Sequence, residues 1–327
     1  MENHPKSPTR LGEDPKNLTP EVAEHAEINT EKGSRPRVEK EMMFMKGDRA
    51  SATAQRVAVL RAAHQLLDDP KVFDDPVALR IIGRENASAL QTDPHLGSTP
   101  LSSYVRAFAA ARSRYAEEKL ALGVRRGVRQ YVILGAGLDT FAYRNPYPEG
   151  VLHVFEVDHP ATQTWKRERL EEIGIPLPGD LTFAPVDFET QTLVEGLRSV
   201  GYDPGKCTFF SWLGVTEYLM TEAVMATLHF IASAPAGSGV VFDYMISPSL
   251  LNPAQRSRFD ALARRVASAG EPWQAFFDPE LLTRDLRAMG FGSVEDKGPE
   301  EINAKYFKNR KDGLRVGSLS HVMNAQV

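Results

Sequence analysis

From residue 127 to the end of the chain, short apolar segments alternate with helical patterns, and this alternation constrains the fold more than any other feature. The first apolar segment, Y-V-I-L at 131–134, stops at a glycine. Further strand patterns lie at 152–158, 181–187, 207–213, 239–244, 292–296 and 318–325, with helical segments at 161–173, 190–200, 222–234 and 279–289. Strands that alternate with helices predict a parallel sheet covered on both faces. We therefore predict an α/β, Rossmann-like, doubly wound domain with a mostly parallel seven-stranded sheet.

The chain before residue 127 has a different character. Its first 45 residues are rich in Pro, Glu, Lys, Asn and Thr, with almost no aromatic or β-branched anchor, so we expect a disordered tail. Downstream, apolar residues recur at helical spacing, and Pro76 suits the first turn of one of the predicted helices. The predicted organisation is a tail at 1–45, a helical extension or lid at 46–126 and a core domain at 127–327.

Composition and charge exclude several classes of protein. The 327 residues carry a formal net charge of −4, which gives no electrostatic reason to expect nucleic acid or a membrane surface as a partner. The single cysteine, Cys207, cannot form an intramolecular disulfide and fits a reducing compartment. The sequence shows neither a secretory signal nor an apolar run of about 20 residues, so we expect a soluble, cytoplasmic protein. The oligomeric state stays open.

The end of the first predicted strand carries a glycine motif that indicates a ligand. In an open parallel sheet, ligands bind outside the carboxyl ends of the strands. The first strand runs into Gly135, Ala136 and Gly137, and glycine lets the backbone approach a ligand closely. Thr140 stands where a G-x-G-x-x-G fingerprint needs its third glycine, which counts against a dinucleotide. A tight turn without a ligand is the alternative.

The second predicted strand ends in acidic residues. Asp158 lies about 20 residues after the glycines, where a carboxylate accepts hydrogen bonds from both hydroxyls of an adenosine ribose. Glu156 shares a strand face with it and is the second candidate. Alternatively, Asp158 or His159 caps the helix that begins near Pro160.

The third predicted strand ends at Asp187 and Phe188. A carboxylate beside an aromatic ring would hold adenine by its exocyclic amine and one face, and the alternative is a capping Asp with a core Phe. The three strand ends together, without a phosphate loop, predict a site for an adenosine that bears no phosphates. S-adenosylmethionine is the common cofactor of that shape.

Motifs that extend from about residue 51 to the C-terminus carry a resemblance to a known family. They lie at 54–62, 75–76, 111–115, 132–140, 155–160, 187–188, 212–219 and 242–244. The most specific pair is G-A-G-L-D-T at 135–140 combined with E-V-D-x-P at 156–160. Together they resemble the leucine carboxyl methyltransferase family, especially its bacterial branch that includes polyketide carboxyl O-methyltransferases.

The resemblance implies a class I methyltransferase fold in which an N-terminal helical lid folds over S-adenosylmethionine. It implies that Arg112 grips the methionine carboxylate with its guanidinium fork, the alternative being a solvated helix face. It also implies that Gly135 and Gly137 pass under the methionine moiety, while the acids at the next two strand ends hold ribose and adenine. The predicted cofactor site comprises Arg112, Gly135, Ala136, Gly137, Asp158, Asp187, Phe188 and Leu213.

Two positions depart from the family pattern. Leu213 stands where the family commonly has an acidic residue before Gly-Val, and Glu217 lies a few residues on. The sequence therefore does not decide whether this strand end makes a polar contact with the cofactor. Phe141 replaces the arginine that often follows G-L-D-T, although Arg144 is nearby.

The predicted reaction is an in-line transfer of a methyl group to an oxygen of a small molecule, for which alignment is the main requirement. A carboxylate acceptor is ionised at neutral pH and needs no general base, whereas a hydroxyl would benefit from one. Among the possible bases, His159 is interpreted as a helix-start residue, and Tyr218 and Tyr244 as pocket lining, with Glu217 as a further candidate. We therefore expect methylation of a carboxylate or a hydroxyl, and assign no catalytic residue.

Other functions are kept as alternatives. An NAD(P)-dependent oxidoreductase is disfavoured by Thr140, and a non-catalytic S-adenosylmethionine-binding protein is the second alternative. Methylation of a protein C-terminus is the third alternative, which the resemblance to the eukaryotic members of the family implies. The histidines show no metal-ligand spacing, so no metal is expected. The wall of the acceptor pocket is expected to include residues 248–277 with Trp273.

Overall fold

A computed structural model describes residues 52–95, 98–187, 191–268, 270 and 272–327 of the chain. The tail predicted at 1–45 and the predicted adenine contact Phe188 lie outside the described residues. The strands are β1 (Gln130–Leu134), β2 (His153–Asp158), β3 (Leu181–Pro185), β4 (Thr208–Trp212), β5 (Gly239–Met245), β6 (Ser293–Lys297) and β7 (Ser320–Gln326).

The strands form one seven-stranded sheet in the order β3-β2-β1-β4-β5-β7-β6. Strands β1 to β5 pair in parallel, and β7 runs antiparallel between β5 and β6. This confirms the predicted fold class. After β1 the chain adds β2 and β3 on one side, and then crosses to add β4 and β5 on the other. The crevice at the carboxyl ends of β1 and β4 is therefore the topological switch point, where ligands bind in such sheets.

Helices cover both faces of this sheet. They are α1 (Ala52–Leu67), α2 (Ala78–Ile81), α3 (Arg84–Thr92), α4 (Pro100–Arg125), α5 (Pro160–Glu172), α6 (Leu193–Ser199), α7 (Thr221–Ala232), α8 (Pro253–Ser268), α9 (Pro279–Met289) and α10 (Pro299–Tyr306). Short 3-10 turns lie at Phe141–Arg144, Thr216–Tyr218 and Pro248–Leu250. In the described parts of the chain, no helix has the length and apolar character needed to cross a membrane.

Alternate residues of the strands build two separate apolar cores, because successive side chains of a strand point to opposite faces. Tyr131 and Ile133 of β1 pack with α4 and α10, whereas Val132 and Leu134 pack with α6, α7 and α9. A third cluster lies among α1, α2, α3 and α5, and includes Leu138 from the turn after β1. The sheet is thus buried on both faces, which explains why its central strands are almost continuously apolar.

Some predicted boundaries differ from the structure. Strand β3 ends at Pro185 rather than at 187, because its pairing partner β2 ends at Asp158. The helix whose first turn was expected to include Pro76 begins at Ala78. Helices α3, α8 and α10 were not predicted, and each of them buries a single residue, Leu90, Phe259 and Ile302 respectively.

A buried carboxylate fixes the N-terminal helices to the turn after β1. Asp75, which is 1% exposed, accepts a hydrogen bond from the hydroxyl of Thr140 (2.7 Å) and lies 2.9 Å from Nε of Arg61. Nε of Arg144 lies 3.5 Å from its other oxygen. Arg61 also donates to the carbonyl of Leu138 (2.6 Å). The carboxylate of Asp75 therefore lies against two guanidinium groups at the junction between helices and sheet, and Arg144 is also paired with Glu117.

We expect Asp75→Asn to lower the free energy of unfolding by about 3 to 5 kcal/mol, because the guanidinium of Arg61 would stay buried without an anion, whereas Arg144 keeps its ion pair with Glu117. The matched control is Asp74→Asn, since Asp74 is exposed and pairs only with exposed Lys71 among the ion pairs found. That change should cost at most about 1 kcal/mol. Urea unfolding of both variants measures the difference, and equal losses would contradict the assigned role of Asp75.

Candidate active site

The turn after β1 forms the floor of the candidate site. Gly135 and Gly137 have φ values of +66° and +40°, which side-chain-bearing residues rarely adopt. A Cβ atom on Gly135 would collide with the side chain of Val215, and one on Gly137 would lie 2.9 Å from Cβ of Ala54. The turn is therefore enclosed between α1 and the segment after β4. Ala136 between the glycines is buried, and its N–H donates to the carbonyl of Val157 in β2 (3.0 Å).

Asp158 at the end of β2 meets this turn. Its Oδ2 accepts from the N–H of Gly137 (2.5 Å), and its Oδ1 accepts from the N–H of His159 (2.7 Å). Burial raises the pKa of Asp158, and these two N–H groups oppose the rise. A carboxylate has about four lone-pair positions, so capacity for two ligand hydroxyls is left. The structure brings the glycines and Asp158 together; the ribose contact itself stays a prediction.

The neighbours of Asp158 have structural roles. Glu156 is fully buried, lies 2.6 Å from Nζ of Lys166 in α5, and accepts from the hydroxyl of Tyr143 (3.5 Å). Burial raises the pKa of Glu156 to about 7. The alternative that Glu156 holds the ribose is therefore not supported by its position. Nδ1 of His159 accepts from the N–H of Ala161 (3.2 Å) and caps α5, which confirms its interpretation as a helix-start residue.

Asp187 lies two residues beyond β3, next to the end of β2. The preceding N–H, of Val186, donates to the carbonyl of Asp158 (2.9 Å), and the carbonyl of Asp187 accepts from Gln191 (3.0 Å). Asp187 is half-buried. It thus lies at the same edge as the glycine turn, and its contact with adenine stays a prediction.

Arg112 lies at the other side of the switch point. It is 8% exposed, and its Nη1 donates to Oδ2 of Asp243 in β5 (2.5 Å). Oδ1 of Asp243 accepts from the N–H of Gly214 (2.6 Å), and a Cβ atom on Gly214 would collide with the Arg112 guanidinium. The alternative of a solvated helix face is therefore wrong for Arg112. The guanidinium is fixed at the carboxyl ends of β4 and β5, and its contact with the methionine carboxylate stays a prediction.

The acidic groups at this side of the site come from residues to which the sequence interpretation gave no firm role. Leu213 is half-buried, and its side chain packs against the core shared by α4 and β1. Asp243 was part of a motif without an assigned function, although an acid within the apolar strand G-V-V-F-D-Y-M is itself a signal. Glu217, in the 3-10 turn after β4, has a buried carboxyl whose pKa is raised to about 7 by burial and by Asp243, with Arg112 opposing.

Tyr244 does not line the pocket, contrary to the sequence interpretation. It is 1% exposed and packs in the core against Phe277. Its hydroxyl donates to Oδ1 of Asp296 (3.0 Å), and burial raises its pKa well above the usual range. Nδ1 of His321 lies 2.7 Å from the second oxygen of Asp296. The alternation of the strand explains the error, because Asp243 faces α4 and the next residue must face the opposite core.

Comparisons with known proteins identify the reaction class of the chain. The model of the family described as leucine carboxyl methyltransferase matches residues 54–232. A Bacillus subtilis protein named "Putative S-adenosyl-L-methionine-dependent methyltransferase YktD" is 33% identical over 311 residues, which cover 86% of this chain and 99% of the relative. A Mycolicibacterium smegmatis protein of the same description is 32% identical over 253 residues, 73% of this chain and 82% of the relative.

A solved structure supports the same fold. The crystal structure of a "putative methyltransferase" from Thermobifida fusca superposes with a TM-score of 0.51 at 18% identity, and the match covers 85% of this chain and 95% of that chain. The chain is therefore a methyltransferase, and its cofactor is S-adenosylmethionine, which supplies the methyl group from its sulfonium. The nicotinamide-dependent alternative is thereby set aside. The two glycines, which leave no room for a Cβ atom beside Val215 and Ala54, and the carboxylate of Asp158 fit an adenosyl ligand.

We expect Asp158→Ala to weaken the binding of S-adenosylmethionine about 10- to 100-fold, because hydrogen bonds to a charged group contribute roughly 1.5 to 3 kcal/mol. Calorimetric titration measures the dissociation constant, and circular dichroism checks that the fold is intact. Glu168→Ala, an exposed change on α5, is the matched control and should bind normally. Unchanged affinity of Asp158→Ala would refute the ribose assignment.

Proposed function

The chain belongs to the leucine carboxyl methyltransferase family, and on that premise we propose that it methylates a carboxylate of a small molecule. A carboxylate oxygen attacks the methyl carbon in line, the bond from that carbon to sulfur breaks, and S-adenosylhomocysteine leaves with the electron pair. No proton moves in this step, since the carboxylate is already ionised at neutral pH. The protein has only to align the two reactants and exclude water.

One observation carries the choice of a carboxylate: two of the possible bases at this edge are already engaged. Nδ1 of His159 caps α5, and the hydroxyl of Tyr244 is buried on Asp296. A hydroxyl acceptor would benefit from a base with a free lone pair beside the methyl group, and a carboxylate needs none. The family description, which names a carboxyl acceptor, supports the same choice.

The acceptor is proposed to lie against the segment that contains α8. Beyond that helix, the N–H and side-chain amide of Gln274 donate to the carbonyls of Glu217 (2.7 Å) and Tyr218 (2.5 Å). Trp273 next to it packs against Phe259, with ring centroids 5.8 Å apart and ring planes tilted by 32°. This segment therefore borders the end of β4 with an aromatic surface, which suits the apolar part of a small carboxylic acid better than an extended peptide.

Methylation of a hydroxyl is the second candidate, and one arrangement favours it. Nδ1 of His321 is held by Asp296, which also accepts from Tyr244. His321 pairs with Tyr244 across β7 and β5, so it lies towards the carboxyl edge of the sheet. A histidine oriented by a carboxylate is a common form of general base.

The product distinguishes the two candidates. The protein is incubated with S-adenosylmethionine labelled in its methyl group and with panels of small carboxylic acids, of phenols and alcohols, and of peptides with a free C-terminus. We expect label in the carboxylic acids, released as methanol by mild alkali, because methyl esters hydrolyse and methyl ethers do not. Alkali-stable label in the hydroxyl panel, or label in the peptides alone, would contradict the proposal.

Replacement of the histidine gives an independent check. His321→Gln should leave the rate of carboxylate methylation close to that of the unchanged protein, because no base is required. If a hydroxyl is the acceptor, the same change should lower kcat about 10²- to 10⁴-fold. His229→Gln is the control, since this histidine is exposed in the last turn of α7.

A further inference from the structure

Glu217 has a buried oxygen atom without a hydrogen-bond partner. The residue is half-buried, but its carboxyl is enclosed, and Oε2 makes no hydrogen bond with the described part of the protein. Its backbone carbonyl is already used by Gln274 (2.7 Å). A buried polar atom without a partner is costly, so its presence at a ligand site indicates that the ligand provides the partner.

The charges around Glu217 indicate the sign of that partner. The charged groups that face its carboxyl are Asp243 of β5 and Arg112 of α4. Arg112 is hydrogen-bonded to Asp243 (2.5 Å), so the cluster holds two carboxyls and one guanidinium. When both carboxyls are ionised, this buried group is short of one positive charge. A cationic group of the ligand would complete it.

The position of Glu217 indicates which part of the cofactor is near. The residue lies two positions after Val215, whose side chain fills the space where Gly135 would carry a Cβ atom. The turn that contains Glu217 therefore abuts the glycine turn, on the side away from Asp158 and β2. Asp158 is assigned to the ribose, so the opposite side is left for the amino-acid end of the cofactor. That end carries one ammonium group and one carboxylate.

We propose that Glu217 binds the α-ammonium group of the methionine moiety of S-adenosylmethionine, beside Arg112, which faces the carboxylate of the same moiety. Glu217 thereby provides the acidic contact that Leu213 cannot. The inference depends on the cofactor and not on the nature of the methyl acceptor. In this role Glu217 is a binding residue, and it takes no proton from the acceptor.

A dependence of binding on pH follows. Because the pKa of Glu217 is about 7, its carboxyl is mostly protonated in the free protein at about pH 6. An ammonium group beside it favours the ionised form and lowers the pKa. Binding at about pH 6 should therefore release up to roughly one proton, and affinity should rise as the pH increases from about 6 to about 7.5.

The experiment compares two stable ligands by calorimetry. S-adenosylhomocysteine has the ammonium group and the carboxylate, whereas methylthioadenosine has the adenosine and the sulfur but lacks the amino-acid end. In the unchanged protein, titrations in buffers of different ionisation enthalpy should show more protons released with S-adenosylhomocysteine than with methylthioadenosine. Any proton released by Asp158 is common to both ligands and cancels in this comparison.

Glu217→Gln tests the residue itself. At about pH 7.5 it should bind S-adenosylhomocysteine about 10- to 100-fold more weakly and lose the extra proton release, because the charged hydrogen bond is gone. Its affinity for methylthioadenosine should stay unchanged, which also shows that the variant is folded. Glu222→Gln, an exposed change close by in α7, is the matched control and should bind both ligands normally.

Three results would overturn the proposal. Unchanged affinity for S-adenosylhomocysteine in Glu217→Gln, with slower methyl transfer, would make Glu217 a base instead. Equal weakening of both ligands would make its role structural. If the variant does not fold, the proton release of the unchanged protein still tests the proposal. Equal proton release with the two ligands would show that no carboxyl loses a proton when the ammonium group binds.

Discussion

The buried ion pair between Arg112 and Asp243 joins helix α4 to strand β5 at the carboxyl edge of the sheet, where the cofactor is proposed to bind. Arg112 belongs to the long helix α4, and Asp243 belongs to β5, at the centre of the carboxyl edge. Gly214 completes the arrangement, because its N–H orients the carboxylate and its lack of a side chain leaves room for the guanidinium. Loss of one partner from such a pair costs about 3 to 5 kcal/mol, so the guanidinium is held in place before any ligand arrives.

With the ion pair between Arg112 and Asp243 on one side, the candidate site has two halves that differ in charge. On the β2 side, Asp158 is oriented by two backbone N–H groups, and the floor is a glycine turn that α1 covers. On the β5 side, charged side chains oppose one another with little access to water. A neutral nucleoside suits the first half, and a zwitterionic amino acid suits the second. S-adenosylmethionine has both, with adenosine at one end and the amino-acid group at the other. Groups fixed in advance reduce the ordering that binding requires.

The features that could be predicted from the sequence are those with a local signal. Apolar runs that end in glycine or acid identified the sheet and the floor of the site, and His159 before a proline identified a helix start. The contact between Arg112 and Asp243 joins residues 131 positions apart, so no periodicity could show which face of α4 carries the guanidinium. The resemblance to a family proposed a role for Arg112, but it did not reveal Asp243 as its partner. Helix α8 was missed for a related reason: a helix that buries only Phe259 has almost no apolar stripe to detect.

The leucine at position 213 does not make the carboxyl edge of the sheet apolar, because other elements bring acidic side chains to the same edge. The side chain of residue 213 packs towards the core of α4, and a leucine there adds to that core. Carboxylates reach the same edge from β5, through Asp243, and from the turn after β4, through Glu217. A parallel sheet brings all of these strand ends together. An acidic side chain at this edge can therefore come from either of two neighbouring elements in the same fold. The loss of an acidic residue from one motif therefore leaves the edge acidic, because the neighbouring elements carry carboxylates of their own.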